Sequence, residues 1–325
     1  MVIDDIRDAA NRIEGHALRT PLLESFLLNE RLGVRLLVKP EVLQRTGSFK
    51  FRGAYTKISR LEPSQRKNGV VAYSSGNHAQ GVAAAAALLG IRATIVMPED
   101  APRIKIENTK ALGAEVILYD RYTENREAIG DRLCNELGAI LVPPYDDLDV
   151  IAGQGTVGLE IAEDMAARGL HADKVIIPCG GGGLAAGTTV ALATLSPDTD
   201  VWVAEPEAFD DTVRSLVLGE RVGIDPAART ICDALSSPLP GEITFDLNRK
   251  HLTGGVAISE HDVAEAMVEA FRTFKIVVEP GGAVALAAVL KGHVEVTGQT
   301  VVVICSGGNV DPDLFSEILA GKRVF

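Results

Sequence analysis

Strands and helices alternate along most of this chain, and that alternation leaves few folds open to it. Short apolar runs, "GVVAYSS" (69–75), "RATIVMP" (92–98), "EVILYD" (115–120) and "AILVP" (139–143), read as strands. Between them "NHAQGVAAAAALLG" reads as a helix ending at Gly90, "PRIKIENTKALG" as one stopping at Gly113, and "TENREAIGDRLCNELG" as a third. One β/α pair about every 20 to 25 residues is the pattern of a parallel sheet covered by helices. A second series follows the loop "PPYDDLDVIAGQG": helix 156–168, strand "KVIIP" (174–178), helix 184–195, strand "VWVAEP" (201–206), helix 260–274 and strand "TVVVICSGG" (300–308). The expected fold is α/β, with two open, mostly parallel twisted sheets flanked by helices. The chain is expected to pass from one unit to the other near "PYDD". Ligands then belong at the carboxyl ends of the strands, in a crevice.

Composition excludes several classes. Of the 325 residues 46% are hydrophobic, so the chain can bury a large core. A net charge of −12 argues against nucleic acid as a partner. The start carries a helical stripe (Val2, Ile3, Ile6, Ala9, Ala10, Ile13) but neither the basic end nor the apolar middle of a signal peptide. The longest apolar run, "GVAAAAALLGI" (81–91), is too short to span a bilayer, so no membrane partner is expected. Cys134, Cys179, Cys232 and Cys305 are widely spaced and form no C-x-x-C pair, which fits free thiols in the cytoplasm.

The unusual residues fall at strand ends. In "TGSFKFRGAY" (46–55) Lys50 lies between Phe49 and Phe51. Strand or turn alternation is the plain reading; the other is a desolvated amine with a lowered pKa, usable as a Schiff-base nucleophile. In "IIPCGGGGLAAG" Gly180 to Gly183 separate a strand from a helix, so backbone N–H groups can converge on an anion. The same stretch satisfies G-x-G-x-x-A through Gly180, Gly182 and Ala185, with Glu205 ending the next strand, so a dinucleotide site stays open. "YSSGNHAQG" (73–81) puts Ser74, Ser75, Asn77 and His78 at a helix start, suited to a carboxylate or to plain capping. "VICSGGNVD" (303–311) offers Ser306, and "VEPGGAVALAA" (278–288) offers Glu279 entering a helix through Pro280. A lysine imine together with a phosphate cradle suggests pyridoxal phosphate.

Six motifs in order, "TGSFKFRGA", "SSGNHAQG", "VIAGQGT", "CGGGGLAAG", "VEPGGA" and "CSGGNVD", closely resemble those of the serine/threonine dehydratase and serine racemase family, the fold-type-II pyridoxal-phosphate enzymes of tryptophan synthase β-like architecture. The resemblance spans nearly the whole chain and displaces the dinucleotide reading. It implies a large cofactor-binding domain (1–60 and 147–325) and a small domain (61–146) that binds the substrate carboxylate. Lys50 would be the Schiff-base lysine and base, and Phe49 would pack on the ring. Asn77 would bond the ring's 3-oxygen, and Gly180, Gly181, Gly182, Gly183 and Leu184 would hold the phosphate. Ser306 would face the ring nitrogen, and Glu279 would also belong to the cofactor site. Ser74, Ser75, Asn77, His78 and Arg126 would meet the substrate, and Ser75 matches the second acid/base of racemases. The family's "EPxxxxD" maps a Mg or Ca site onto Glu205, the Phe209 carbonyl and Asp211. The expected activity is dehydration of an L-β-hydroxy amino acid, threonine or serine first, to a 2-oxo acid and ammonia. Serine racemisation and dehydration of threo-3-hydroxyaspartate are the alternatives. A homodimer is implied. Cys232-Asp233-Ala234 departs from the family's A-D-G, and with the sequence stopping soon after "SGGNVD" the regulatory domain of feedback-inhibited threonine deaminases is not expected.

Overall fold

The computed structural model of the protein describes residues 1–322. Its strands form two sheets. One has the order β1 (Leu23–Glu24), β2 (Arg35–Pro40), β10 (Thr300–Cys305), β7 (Lys174–Pro178), β8 (Asp200–Pro206), β9 (Gly254–Ile258). The other has the order β5 (Glu115–Tyr119), β4 (Ala93–Pro98), β3 (Val70–Tyr73), β6 (Ile140–Leu141). Among the described residues only the edge pair β1–β2 is antiparallel. Helices cover both faces of β10, so Val301 to Ile304 are fully buried and the strand reads as one apolar run. The position of β10 between β2 and β7 reverses the winding of the sheet there. A crevice opens at the carboxyl ends of these three strands.

Most elements fall within a few residues of the sequence reading, and β7 spans residues 174–178 as read. Three readings are corrected. "PPYDDLDVIAGQG" is largely not a loop: a helix runs from Leu148 to Ala167, its first turn capped by Asp147 accepting from the N–H of Asp149 (3.0 Å) and Val150 (3.1 Å). Its glycines are contact points. A Cβ on Gly153 would sit 2.6 Å from the Arg52 carbonyl oxygen, and one on Gly158 would sit 2.7 Å from that of Thr188. The second correction concerns Lys50, which belongs to neither strand nor turn. It opens the helix Lys50–Ser59, entered through a turn at Thr46 and Gly47, both at positive φ. The helix read over 260–274 is α-helical only to Glu269 and ends as a π-turn over Ala270–Phe274.

Candidate active site

The crevice is lined by the residues that the strand-end motifs singled out. Phe49, Lys50, Ser74, Ser75, Asn77, His78, Arg126, Gly180 to Gly183, Leu184 and Ser306 all face one pocket. Glu279 stands behind it, fully enclosed, accepting from the Asn77 side-chain amide. Glu205, Phe209 and Asp211 lie outside this pocket.

Helix geometry aims Lys50. Phe51 and Ala54 are buried in the core, which turns the preceding ammonium toward the pocket. Its Nζ donates to the Pro144 carbonyl at 2.6 Å and stands 5.2 Å from the centre of the Phe49 ring. No carboxylate offsets the loss of water around it, and burial pushes the Lys50 pKa down to about 8. The amine is therefore available in its neutral, nucleophilic form far below the usual lysine range.

The glycine loop faces it. Gly182 has φ +91, and a Cβ on Gly181 would sit 2.3 Å from the Tyr145 ring, so only glycine lets the loop lie this close under Tyr145 with its backbone bare. The helix Gly183–Leu195 begins at the loop, and the N–H groups of its first turn point out of it with the positive end of the helix dipole. This surface, opposite a low-pKa lysine, fits an aldehyde that carries a phosphate.

His78 has a different character from a cationic anchor. The buried ring holds the Val142 carbonyl through Nε2 at 2.8 Å, and its pKa falls to about 3, first through burial and then through the nearby Lys50 charge. The ring is neutral and Nδ1 keeps a lone pair, so it has no N–H to offer a carboxylate. Arg126 opens the helix Arg126–Leu137 and lays its guanidinium 5.3 Å from the centre of the Tyr73 ring. It forms no ion pair among the described residues and lines both this pocket and a second one that shares Ser75, Asp233 and Ser236 with it.

Three further residues, to which the sequence reading gave no role, build the site. Tyr145 covers the glycine loop and accepts from the Ser237 hydroxyl at 3.1 Å. Asn309 donates to Asn77 Oδ1 at 2.9 Å. Lys105 donates to Asp233 and to Glu279, both at 2.8 Å. Lys105 sits in an ordinary charged helical stretch, so only the fold reveals that it faces inward.

Away from the pocket, Glu205 and Asp211 are both buried. Glu205 accepts from the N–H of Thr212 (3.3 Å) and Val213 (2.8 Å), whereas neither Asp211 oxygen has a hydrogen-bond partner. Burial raises both, and each carboxylate's proximity to other acids adds to it, with Asp211 pushed up to about 7. No cluster of three His, Cys, Asp or Glu able to hold a metal occurs among the described residues, so a cation here would need a backbone oxygen such as that of Phe209.

A buried amine facing a glycine cradle, in the cleft of two open parallel sheets, defines a pyridoxal-phosphate enzyme of fold type II. Residues 13–307 match the family described as "Pyridoxal-phosphate dependent enzyme", and the chain belongs to that family. It is 42% identical to the L-threo-3-hydroxyaspartate ammonia-lyase of Saccharomyces cerevisiae, over 98% of this chain and 96% of that one. It is 44% identical to the protein of the same name from Pseudomonas sp, over 98% of both chains. The solved structure of a T.th. threonine deaminase superposes with a TM-score of 0.90 at 45% identity, over 96% of this chain and 99% of that one. The protein is a pyridoxal-phosphate-dependent enzyme of the ammonia-lyase, or dehydratase, kind.

Proposed function

We propose that the enzyme converts L-β-hydroxy amino acids to the 2-oxo acid and ammonia, and that L-threo-3-hydroxyaspartate is preferred over threonine and serine. The neutral-capable amine of Lys50 opposite the glycine cradle carries the dehydratase reading. Arg126 moves hydroxyaspartate ahead of the two substrates placed first on sequence. An arginine without an acidic partner at the mouth of the pocket suits a second substrate carboxylate, and two of the relatives bear that substrate in their names.

Pyridoxal phosphate, when bound, supplies the electron sink that stabilises the charge left on Cα. Lys50 takes the Cα proton on its neutral Nζ. Gly180 to Gly183 and Leu184 would hold the phosphate through backbone N–H, and Phe49 would pack on the ring. Asn77 would donate its second amide N–H to the ring oxygen, the first going to Glu279. Ser306 would offer the ring nitrogen a hydroxyl, which would not keep it protonated as an aspartate would, and the weaker electron sink would suit loss of the β-hydroxyl. Ser74 and Ser75, with the N–H groups at the start of the helix Asn77–Leu88, hold the substrate carboxylate.

Arg126→Ala tests the substrate order. We expect kcat/KM for L-threo-3-hydroxyaspartate to fall on the order of 100-fold, about 3 kcal/mol for a lost charge-assisted contact. Threonine should change by less than about threefold. Equal losses for both would contradict the assignment. Ser75, lining the same pocket as Lys50, keeps racemisation as the second reading, and chiral analysis of recovered substrate with no D-isomer would remove it.

The reading includes a Mg or Ca ion on Glu205, the Phe209 carbonyl and Asp211, supported by the partnerless Asp211 oxygens. It includes a homodimer, supported by exposed Phe26 and Leu27, and a cytoplasmic protein, supported by four free thiols. It includes a division into 1–60 with 147–325 and 61–146, supported by the two sheets.

A further inference from the structure

One chain of polar contacts crosses between the two sheets along the wall of the pocket, which Asn77, Lys105 and Asp233 line. Lys105 belongs to the helix Arg103–Ala111, which follows β4 of the four-stranded sheet. Its side chain is 1% exposed and ends between two carboxylates of the other unit, Asp233 and Glu279, each 2.8 Å away. Glu279 is as deeply buried as Lys105, whereas Asp233 borders the pocket. The second oxygen of Glu279 accepts from Asn77 Nδ2. Asn77 Oδ1 in turn accepts from Asn309 Nδ2, which also donates to the Thr46 carbonyl at 2.8 Å.

Every polarity in this relay depends on the next. Asn309 donates to Asn77, so the Asn77 oxygen must face it and the Asn77 amide must face Glu279. Glu279 must then accept on that side through one oxygen and from Lys105 through the other, and two accepting oxygens call for a carboxylate. Burial raises the pKa of Glu279, and the Lys105 ammonium works against that rise. The alkyl stem of Lys105 also runs directly beneath the loop that bears Ser74 to Asn77. A Cβ on Gly76 would sit 2.1 Å from the Lys105 Cδ, so glycine at 76 is what lets the stem pass.

We propose that Lys105 is a positioning residue: through Glu279 it orients the Asn77 amide, and through its stem and its two ion pairs it docks the Ser74–Asn77 loop onto the six-stranded unit in the form that receives the substrate carboxylate. The proposal rests on the reading of that loop given above. It assigns Lys105 no contact with the reacting atoms.

The test compares Lys105→Met, Lys105→Arg and Glu279→Gln holoenzymes with the wild type. Binding of L-alanine, which has no β-leaving group, is followed through the absorbance of the bound cofactor. We expect Lys105→Met to raise the alanine Kd and the substrate KM about tenfold or more, with a smaller change in kcat and the lysine-linked chromophore retained. Lys105→Arg should recover part of the loss. Glu279→Gln should raise the alanine Kd in the same direction, and adding Lys105→Met to it should cost little more, because both act through one relay. A wild-type Kd in Lys105→Met, or equal losses in kcat and affinity that Lys105→Arg does not relieve, would overturn the proposal. If Lys105→Met does not fold, Glu279→Gln decides alone, and a wild-type Kd in it overturns the proposal equally. Wild-type protein that binds alanine but makes no 2-oxo acid from any β-hydroxy amino acid would sink the proposed function and leave this inference standing.

Discussion

A lysine amine in water is almost wholly protonated at neutral pH, and Lys50 departs from that only because of where its helix begins. Nothing about the residue itself announces this. Its two phenylalanine neighbours fit an exposed strand as well as a helix start, and the sequence leaves both readings standing until the glycine loop is considered with it. With its pKa near 8, about a tenth of Lys50 is neutral at pH 7, against less than about a thousandth for an exposed lysine. In cofactor-free protein we therefore expect Lys50 to be the lysine most rapidly acylated at pH 8, with a labelling midpoint near 8 by peptide mass spectrometry. A midpoint above about 10 would mean the amine is solvated. Residues such as Lys105 and Asn309 were out of reach of sequence reasoning for a related reason. Their importance lies in partners more than 120 residues away, and a charged or amide side chain in a polar stretch looks the same whether it faces in or out.

Helices carry the site into register, and glycine lets them approach. The helix Leu148–Ala167 crosses Lys50–Ser59 where Gly153 meets the Arg52 carbonyl and Gly53, and it meets the helix Gly183–Leu195 at Gly155 and Gly158. In sequence Gly153 and Gly155 suggested a loop, because helix propensity penalises glycine by about 1 kcal/mol and the compensation, close packing, is tertiary. Propensity alone says Gly153→Ala should stabilise; the 2.6 Å approach says it should lower the melting temperature, and calorimetry decides. The same crossing is pinned by Arg52, fully buried, which bonds Glu41 at 2.8 Å and Glu160 at 2.6 Å. Burial would raise the Glu41 pKa, but the Arg52 charge holds it below the usual carboxylate range. Its folded pKa is thus depressed, so its stabilisation is present above about pH 4.3 and is lost as pH falls through the lowered value. Glu41→Gln should cost about 3–5 kcal/mol at pH 7, since it leaves a buried guanidinium short of charge. A loss under about 1 kcal/mol in urea denaturation would show that the pair is replaceable.

At the level of the whole molecule, the alternating pattern was enough to give two parallel sheets and to place the polar strand ends together in one crevice. It could not give the strand order, because β2 and β9 lie in stretches without a clear period, and β10 inserts between β2 and β7 from the far end of the chain. The Glu205–Asp211 pair adds a second pH dependence at this scale. Both carboxylates have raised pKa values, so without a cation each carries a penalty that is relieved as pH falls, that of Asp211 being full above about pH 7. Chelated protein should therefore melt higher at pH 6 than at pH 8, and added Mg or Ca should raise the melting temperature most at pH 8. Identical melting with and without cation at both values would remove the site. The central claim is that Lys50 drives conversion of a β-hydroxy amino acid to its 2-oxo acid and ammonia. Its most direct measurement is 2-oxo-acid formation by purified holoenzyme from L-threo-3-hydroxyaspartate, L-threonine and L-serine in parallel, beside Lys50→Ala. The account predicts turnover, fastest with hydroxyaspartate and absent in the variant; 2-oxo acid formed as fast by Lys50→Ala, or by neither protein from any of the three, would contradict it.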